Sequence, residues 1–184
     1  MTASTAIDAG TRRQLRAAIA RRVLHKSPGA AAALDWAMLG LAPEWLARPE
    51  PALALLARRV GAVLCAPAVK LWIDGPRIAA ARAALGDAFL QALLAERDIP
   101  TIEPAGRPRL DAAEQVAALL QATGAGVLLA SLAPGALQRA ASDVLGPAVT
   151  LAMPPALAHT LIAHAQALEA RVEAPPGRMP EDAR

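Results

Sequence analysis

The sequence has almost no aromatic residues. Only 2% of its 184 residues are aromatic: three Trp, one Phe and no Tyr. Ala and Leu instead supply most of the 55% of the chain that is apolar. Aromatic and β-branched side chains fill the strands of sheets, whereas Ala and Leu have high helix propensities. Because this length suits one domain, we predict an all-α fold, a single-domain multi-helix bundle with at most one or two very short strands.

The chain also lacks a second cysteine and a secretory signal. Cys65 lies in an apolar run, where a buried and chemically inert thiol is the usual outcome. A single cysteine cannot form an internal disulfide. No apolar stretch precedes the N-terminal Arg cluster, so no signal peptide is predicted. Both observations favour a cytoplasmic protein.

Long hydrophobic runs are interrupted. Residues 115–138 and 145–168 are uncharged and approach the length of about 20 apolar residues that a membrane-spanning helix needs. Both stretches are nevertheless cut by glycine or proline, at Gly124, Gly126, Pro134, Gly135, Pro147, Pro154 and Pro155. We predict buried helices in these stretches and no direct membrane insertion.

Motifs that would indicate an enzyme are absent. The sequence contains no phosphate-binding Gly-rich pattern and no nucleophile elbow. A triad of Ser131, His164 and Asp143 can be chosen, but any chain of this length permits such a choice. His159 and His164 lie five residues apart, which places them on different faces of a helix instead of on the face that a metal needs. We therefore predict no catalytic residues, no cofactor and no metal site.

Proline and glycine divide the chain into segments. Residues 1–7 are predicted to be a flexible N-terminus, residues 8–173 a helical domain, and the Pro-rich, polar residues 174–184 a disordered tail. The clearest internal break is the proline-rich segment 98–109, a loop or, at 101–103, a short edge strand. The apolar runs 67–73 and 149–153 are too short for their pattern to separate a strand from a helical turn or a linker.

The most basic part of the chain is a predicted helix over residues 8–26. Leu15, Ala18, Ile19 and Val23 form its apolar stripe. Much of the remaining helix surface is basic, at Arg12, Arg13, Arg16, Arg21, Arg22 and Lys26. A solvated face is the simplest interpretation, and docking to an acidic partner is the functional one. Nucleic-acid binding ranks lower, because no aromatic residues are interleaved with these Arg residues and a net charge of +3 is small.

Two tryptophans are further candidates for partner binding. Residues 30–40 are predicted to form a short helix with Leu34, Met38 and Trp36 facing inward, and Trp45 lies in the following proline-punctuated segment. Tryptophan usually packs into a core, but an exposed Trp is a natural interface anchor. The predicted partner-binding residues are therefore Arg12, Arg13, Arg16, Trp36 and Trp45.

Residues 64–96 contain the third Trp, the single Phe and the single Cys, and we predict that the rest of the chain packs around this segment. Asp74 or Gly75 is predicted to cap a helix that has Pro76 in its first turn. Gly86 and Asp87 either kink this helix or end it and begin a second one.

Part of the chain resembles a known family. The segment APAVKLWIDGPRIAAARAALGDAFLQALL, then the proline-rich break, then TGAGVLLASLAPGAL, is similar to the SctK family of type III secretion systems. The shared features are an apolar lead into a Trp-Ile-Asp-Gly turn, a helix that ends near Leu-Gly, and a later apolar segment rich in Gly and Ala. The resemblance covers roughly residues 50–150.

The resemblance implies a helical, non-enzymatic component of the cytoplasmic sorting platform, peripheral to the inner-membrane secretion apparatus. Its partners would be the cytoplasmic domain of the inner-membrane ring protein and the pod protein, with no nucleic acid. No catalytic residues carry over, and the residues expected to determine the fold instead of contacting partners are Trp72, Asp74, Gly75 and Phe89. The alternatives are an Arg-rich nucleic-acid-binding regulator, a generic helical protein-interaction domain and a small helical enzyme with an apolar pocket.

Overall fold

Every regular element in the described part of the chain is helical. The computed structural model describes residues 9–31, 33–100 and 109–174. Short 3-10 turns at Glu44–Ala47 and Ala113–Gln115 precede two of the longer helices. The α-helices are α1 (Ala9–Lys26), α2 (Pro28–Ala31), α3 (Trp36–Gly40), α4 (Glu50–Leu64), α5 (Ala66–Val69), α6 (Gly75–Leu85), α7 (Asp87–Ala95), α8 (Val116–Ala130), α9 (Ala136–Leu145) and α10 (Pro155–Glu173). The prediction of an all-α fold of several helices is confirmed.

Neither short apolar run forms a strand. In the run 67–73, α5 continues to Val69 and a turn follows, so the helical alternative is correct for its first part. Residues 149–153 are irregular, and the Val149 N–H donates to the Ala122 carbonyl of α8 at 2.9 Å. The strand alternative therefore does not hold at either place, and residues 149–153 form the linker that the sequence also allowed. Three segments lie outside the described residues: 101–103, predicted to be a loop or a short edge strand, the N-terminus 1–7 and the tail beyond residue 174.

A close crossing of α4 and α8 forms the centre of the molecule, and this pair makes the most extensive contact between helices. Gly61 and Gly124 meet at the crossing. A Cβ atom on Gly61 would lie 2.0 Å from the Leu120 carbonyl oxygen, and one on Gly124 would lie 1.7 Å from the Ala57 carbonyl oxygen. The backbones are in direct contact because neither residue has a side chain.

The remaining helices enclose this pair and share one core. α10 packs on α4, α7 and α8, α6 packs on α4 and α8, and α1 contacts α3, α9 and the 3-10 turn at Glu44–Ala47. The predicted apolar stripe of α1 points into the core, where Ile19 and Val23 are fully buried. Cys65 is buried as predicted. The buried residues of all the long helices belong to a single hydrophobic cluster.

Gly86 separates α6 from α7, which meet at an angle of 113°. Its φ of 85° and ψ of 145° lie in a region of backbone conformation that residues other than glycine rarely adopt. The second of the two sequence alternatives therefore holds, because Gly86 ends one helix and the next begins at Asp87. The two helices bury Ala81, Leu85, Phe89 and Leu93 against α8 and α10.

One stretch is long and apolar enough to cross a membrane by length and composition, namely Ala113–Ala130, and α6 with α7 would add a second if the bent pair were a single span. The first of these contains α8, which lies at the centre of the bundle against α4. A buried core helix meets the same two criteria, so this pattern alone does not assign the helix to a bilayer.

Candidate partner-binding surface

Three predicted residues, Arg12, Arg13 and Arg16, lie close together near the N-terminal end of α1. The helix carries five Arg, one Lys and no acidic residue. Within the described residues, none of these three Arg side chains forms an ion pair. Their positive charge is therefore not neutralised by the surrounding part of the fold, and an acidic group on another molecule would be attracted to it.

The C-terminal half of α1 behaves differently, because two of its basic side chains, Arg22 and Lys26, are tied to the body of the molecule. Arg22 Nη1 donates to the Leu46 carbonyl at 2.7 Å. Lys26 Nζ lies 3.4 Å from a carboxylate oxygen of Glu50. These contacts, together with the burial of Ile19 and Val23, hold α1 against the bundle and fix the direction in which its N-terminal half projects.

Trp36 lies beside the three Arg residues and is 67% exposed. With Gly10, Arg12, Arg13 and Arg16 it lines an open depression of ≈ 800 Å³. We call Arg12, Arg13, Arg16 and Trp36 the Arg–Trp surface. The structure thus brings together four of the five predicted partner-binding residues. Covering the exposed two thirds of an indole stabilises a complex by on the order of 3 kcal/mol.

The prediction that Trp36 and Met38 face inward is wrong. Residues 30–40 do not form one helix, because α3 begins only at Trp36, where Asp35 accepts the Met38 N–H at 2.7 Å and acts as the N-cap. In this short helix Leu39 is the residue that is buried, whereas Trp36 and Met38 are exposed. A polar residue directly before Trp36 is a capping signal that the sequence already contains.

An apolar groove adjoins the Arg–Trp surface on the other side of Trp36. It has a volume of ≈ 270 Å³, and its apolar lining comes from α1, α3 and the segment before α3, at Ala20, Val23, Leu24, Leu34, Trp36 and Leu39. Leu24 is 63% exposed at its edge. Because Trp36 lines both features, a cationic patch and an apolar groove form one continuous surface.

Arg16 is positioned by α3. Its guanidinium lies over Gly40, close enough that a Cβ atom on residue 40 would be 2.8 Å from one of its terminal nitrogens. The half-buried side chain therefore rests on a backbone that presents no side chain at that point. The guanidinium lies on the same side of the molecule as Trp36.

Trp45 does not belong to this surface. It lies in the 3-10 turn Glu44–Ala47 and is only 4% exposed, as part of the core. Its assignment to partner binding is therefore wrong, because a side chain enclosed in the core is not accessible to another molecule. Arg22 anchors the same turn through the Leu46 carbonyl, so the contribution of Trp45 is to seat α1 on the bundle.

The four predicted fold determinants lie around α6 and α7. Phe89 is buried, and the Arg59 guanidinium lies 4.9 Å from its ring centroid. Trp72 is half-buried beneath Arg77, whose guanidinium lies 5.5 Å from the indole centroid. Both contacts are cation–π interactions. Each of the two aromatic rings therefore has a packed position within the fold.

Asp74 caps α6 as predicted. It accepts the Arg77 N–H at 2.9 Å, and this bond, followed by the side-chain contacts with Arg77, lowers the pKa of the carboxyl below its ordinary value of 3.8 against the opposing effect of desolvation. Gly75 has open space where a Cβ atom would lie. It precedes Pro76 at the start of the helix, however, where the absence of a Cβ relieves the usual clash before proline.

Sequence reasoning missed a buried charge cluster that joins α4 to α10. Arg59 is only 8% exposed, and its Nη1 lies 2.5 Å from a carboxylate oxygen of Glu169. Arg48 binds the other oxygen of the same carboxylate at 3.0 Å. A signal was present, because Arg59 lies three and four residues from the apolar Leu56 and Val63 and hence on the inward stripe of its helix.

Two exposed apolar residues also escaped notice. Leu71 and Ile73 are 80% and 95% exposed in the turn before α6, on either side of Trp72. The alternation of exposed and half-buried residues is typical of an extended segment, but a run of three apolar residues gives no indication of which side faces the core.

Two of the three side chains of the triad Ser131, His164 and Asp143 make contacts unrelated to catalysis. Ser131 donates to the Leu128 carbonyl at 2.6 Å, and Asp143 accepts the hydroxyl of Ser27. His164 Nε2 is buried and has no hydrogen-bond partner in the part of the chain that is described. Among these same residues, no group of three or more His, Cys, Asp or Glu side chains is arranged to hold a metal ion.

Known proteins offer no match to compare with this surface: no protein-family model, no curated protein and no solved structure matches the chain.

Proposed function

We propose that this chain is a non-enzymatic adaptor of a bacterial type III secretion sorting platform. In this role it lies in the cytoplasm, peripheral to the inner membrane. It links the cytoplasmic domain of the inner-membrane ring protein to the pod protein. The proposal names two protein partners and no reaction, cofactor or metal.

The observation that carries the proposal is the Arg–Trp surface. Three Arg side chains without acidic partners in the described structure surround a Trp that is 67% exposed, next to an apolar groove. Trp and Arg are the residue types that contribute most to protein–protein binding. An exposed apolar patch rimmed by charged residues is typical of an interaction site and favours an interaction role over a purely structural one.

The resemblance to the SctK family supports the identity of the machine. Its residues form a coherent structural unit, because the Trp-Ile-Asp-Gly turn leads into the N-cap of α6 at Asp74 and the Leu-Gly end of that helix is the break at Gly86. The later segment rich in Gly and Ala contains the close approach of Gly124 to α4. The quoted motifs thus have physical roles in this fold.

The test is an affinity pull-down of the tagged protein from native cytosol and from detergent-solubilised membranes, with recovered chains identified by mass. We expect recovery of the secretion-ring protein and the pod protein. A variant with Arg13→Glu and Trp36→Ala should lose at least one of them, whereas Arg21→Glu, on the same helix but outside the Arg–Trp surface, should retain both. Recovery of neither partner by the unaltered protein would contradict the proposal.

Nucleic-acid binding is the alternative that gains an argument from the fold. The α1 sequence lacks an aromatic residue on which a base could stack. In the fold, Trp36 lies next to the three Arg residues and supplies one. The two functions differ in their dependence on salt, since neutralising phosphates makes affinity fall steeply as salt concentration rises. The apolar groove favours a protein partner, because its lining of Ala, Val and Leu side chains suits an aliphatic side chain.

A further inference from the structure

We infer that the Arg–Trp surface and the adjoining apolar groove together bind an acidic protein segment that carries a large aliphatic side chain next to its carboxylates. The inference rests on the proposed adaptor function, since it names the chemistry by which one partner is recognised. It predicts that the carboxylates lie against Arg12, Arg13 and Arg16. The aliphatic side chain then enters the groove beside Trp36.

Charge complementarity selects the acidic half of this partner. The whole of α1 contains no acidic residue, and the three Arg side chains have no ion-pair partner within the described structure. Several other basic side chains of the described residues do have one, as Arg48, Arg59 and Arg171 show. Planar guanidinium groups match carboxylates in geometry and form charge-assisted hydrogen bonds with them.

The shape of the groove selects the aliphatic half. Its volume of ≈ 270 Å³ and its lining of Ala, Val, Leu and Trp side chains suit a branched apolar side chain. The one charged residue at its edge, Asp35, already accepts the Met38 N–H and caps α3. A purely polyanionic ligand would bind the Arg side chains and leave this groove exposed to water, so the two features are used together only by an amphipathic ligand.

The position of Arg16 gives the surface a preferred arrangement. Its guanidinium rests over Gly40, so a methyl group added at residue 40 displaces the cation without removing any charge. Gly40→Ala is therefore a variant that separates the arrangement of the charges from their number. A ligand held only by long-range attraction would not respond to this change.

The experiment measures binding of a fluorescently labelled synthetic helical peptide to the full chain by anisotropy. The peptide has Glu along one side and Leu along the adjacent side. Two matched peptides replace all Leu by Ser or all Glu by Lys. We expect the Glu–Leu peptide to bind, the Ser version to bind about ten-fold more weakly, and the Lys version not to bind.

The protein variants are measured with the same peptide. We expect Arg13→Glu and Trp36→Ala each to weaken binding about ten-fold or more, and Gly40→Ala to weaken it by a smaller factor. Arg21→Glu is the matched control and should leave the affinity unchanged within about two-fold, since Arg21 lies on the same helix but lines a different depression. Circular dichroism verifies that each variant remains folded.

Three results would overturn the inference. The first is equal binding of the Glu–Leu and Glu–Ser peptides, or displacement of the Glu–Leu peptide by homopolymeric RNA or anionic vesicles, since either makes the surface a general polyanion site. The second is an equal loss of affinity for the Glu–Leu peptide in Arg13→Glu and Arg21→Glu. The third is self-association of the unaltered chain that Trp36→Ala abolishes, which would assign the groove to a second copy.

The peptide assay and the pull-down fail independently. If the ring and pod proteins are recovered but the peptide does not bind, the adaptor function holds and this description of its ligand is wrong. If the peptide binds with the expected variant pattern but neither protein is recovered, the surface is correctly described and the proposed machine is wrong.

Discussion

Two groups of charged side chains in the described structure differ in their partners. One group, around Arg59 and Glu169, is enclosed and paired, and it joins helices that are far apart in sequence. The other group, at Arg12, Arg13 and Arg16, has no acidic partner in the described structure. The first therefore contributes to folding, while the second leaves its charge for another molecule.

Glu169→Gln tests the enclosed group. This change keeps the shape of the side chain but removes the nearer carboxylate of Arg59, which is 8% exposed. The buried guanidinium then retains only the exposed Glu173 at 3.7 Å and is largely uncompensated. An uncompensated buried charge is strongly destabilising, so we expect the free energy of unfolding in urea to fall by about 3 kcal/mol. Glu50→Gln removes the exposed partner of Lys26 and should cost less than about 1 kcal/mol. An equal loss of unfolding free energy in Glu169→Gln and Glu50→Gln would show that Arg59 is not effectively buried.

Asp74 makes stability depend on pH. Its hydrogen bond from the Arg77 N–H lowers its pKa in the folded state below the ordinary 3.8. The carboxylate therefore stabilises the fold fully above pH 3.8, and this contribution is lost as the pH falls through the lowered value. We expect the unaltered protein to unfold at a higher temperature than Asp74→Asn at neutral pH. This difference should disappear in acid. Asn still caps the helix but does not titrate, so parallel pH profiles would contradict the assignment.

The residues of the Arg–Trp surface could be selected from the sequence, but their exposure could not. Arg12, Arg13 and Arg16 stand out because α1 has an apolar stripe and a basic remainder. Trp36 and Trp45 look equivalent in sequence, since each lies in a short, punctuated segment. Only the N-cap at Asp35 and the seating of α1 on the turn Glu44–Ala47 separate the exposed indole from the buried one.

The helices owe their arrangement to residues that have little or no side chain. Gly61 and Gly124 allow α4 and α8 to meet backbone to backbone, and Gly86 allows α6 and α7 to turn through 113°. Gly126 plays a similar part, because a Cβ there would lie 2.2 Å from the Val149 carbonyl oxygen. The small residues of this Ala-rich chain thus set the distances between its elements.

Gly124→Ala tests the central crossing. Its Cβ would lie 1.7 Å from the Ala57 carbonyl oxygen, so α4 and α8 must move apart. Such overpacking should lower the free energy of unfolding in urea by about 3 kcal/mol. Gly29→Ala is the control, since no atom lies within 4 Å of the added methyl group, and it should be neutral or slightly stabilising. Similar losses at both positions would contradict the steric explanation.

Helix positions follow from apolar periodicity and capping signals, whereas contacts between helices do not. The apolar residues of α4 recur at helical spacing, at Leu53, Leu56, Val60 and Leu64. Asp74 with Pro76 predicted the start of α6. The 3-10 turn before α8 has no side-chain cap, so no capping signal marks the start of that helix. Nothing in the sequence shows that Gly61 faces Gly124, because the two belong to helices separated by many residues.

The whole molecule is a helical bundle to which α1 is attached unevenly. Its C-terminal half is bound through Ile19, Val23 and Arg22, and its N-terminal half carries the exposed cations. This arrangement presents the Arg–Trp surface at one side of the bundle, while Leu71 and Ile73 project from the turn before α6. From the sequence we predict a single helical domain between a short N-terminus and a tail.

Limited digestion with trypsin tests that division. Segments 98–109 and 174–184 are rich in proline and polar residues, and the sequence predicts that they are accessible to protease. We expect the first cuts after Arg109 and Arg178, with the helices between them protected, as read by mass spectrometry of the intact fragments. Early cleavage within α4, after Arg58 or Arg59, would contradict the predicted boundaries.

The crossing of α4 and α8 also limits which amino-acid substitutions the protein can tolerate. A bulky substitution in an ordinary core is often rescued by a smaller residue opposite it. At positions 61 and 124 the obstructing atoms belong to the facing backbone, which every amino acid shares. No exchange at Leu120 or Ala57 removes a carbonyl oxygen, so a genetic screen starting from Gly124→Ala should return reversion to glycine or distant changes that let the two helices separate.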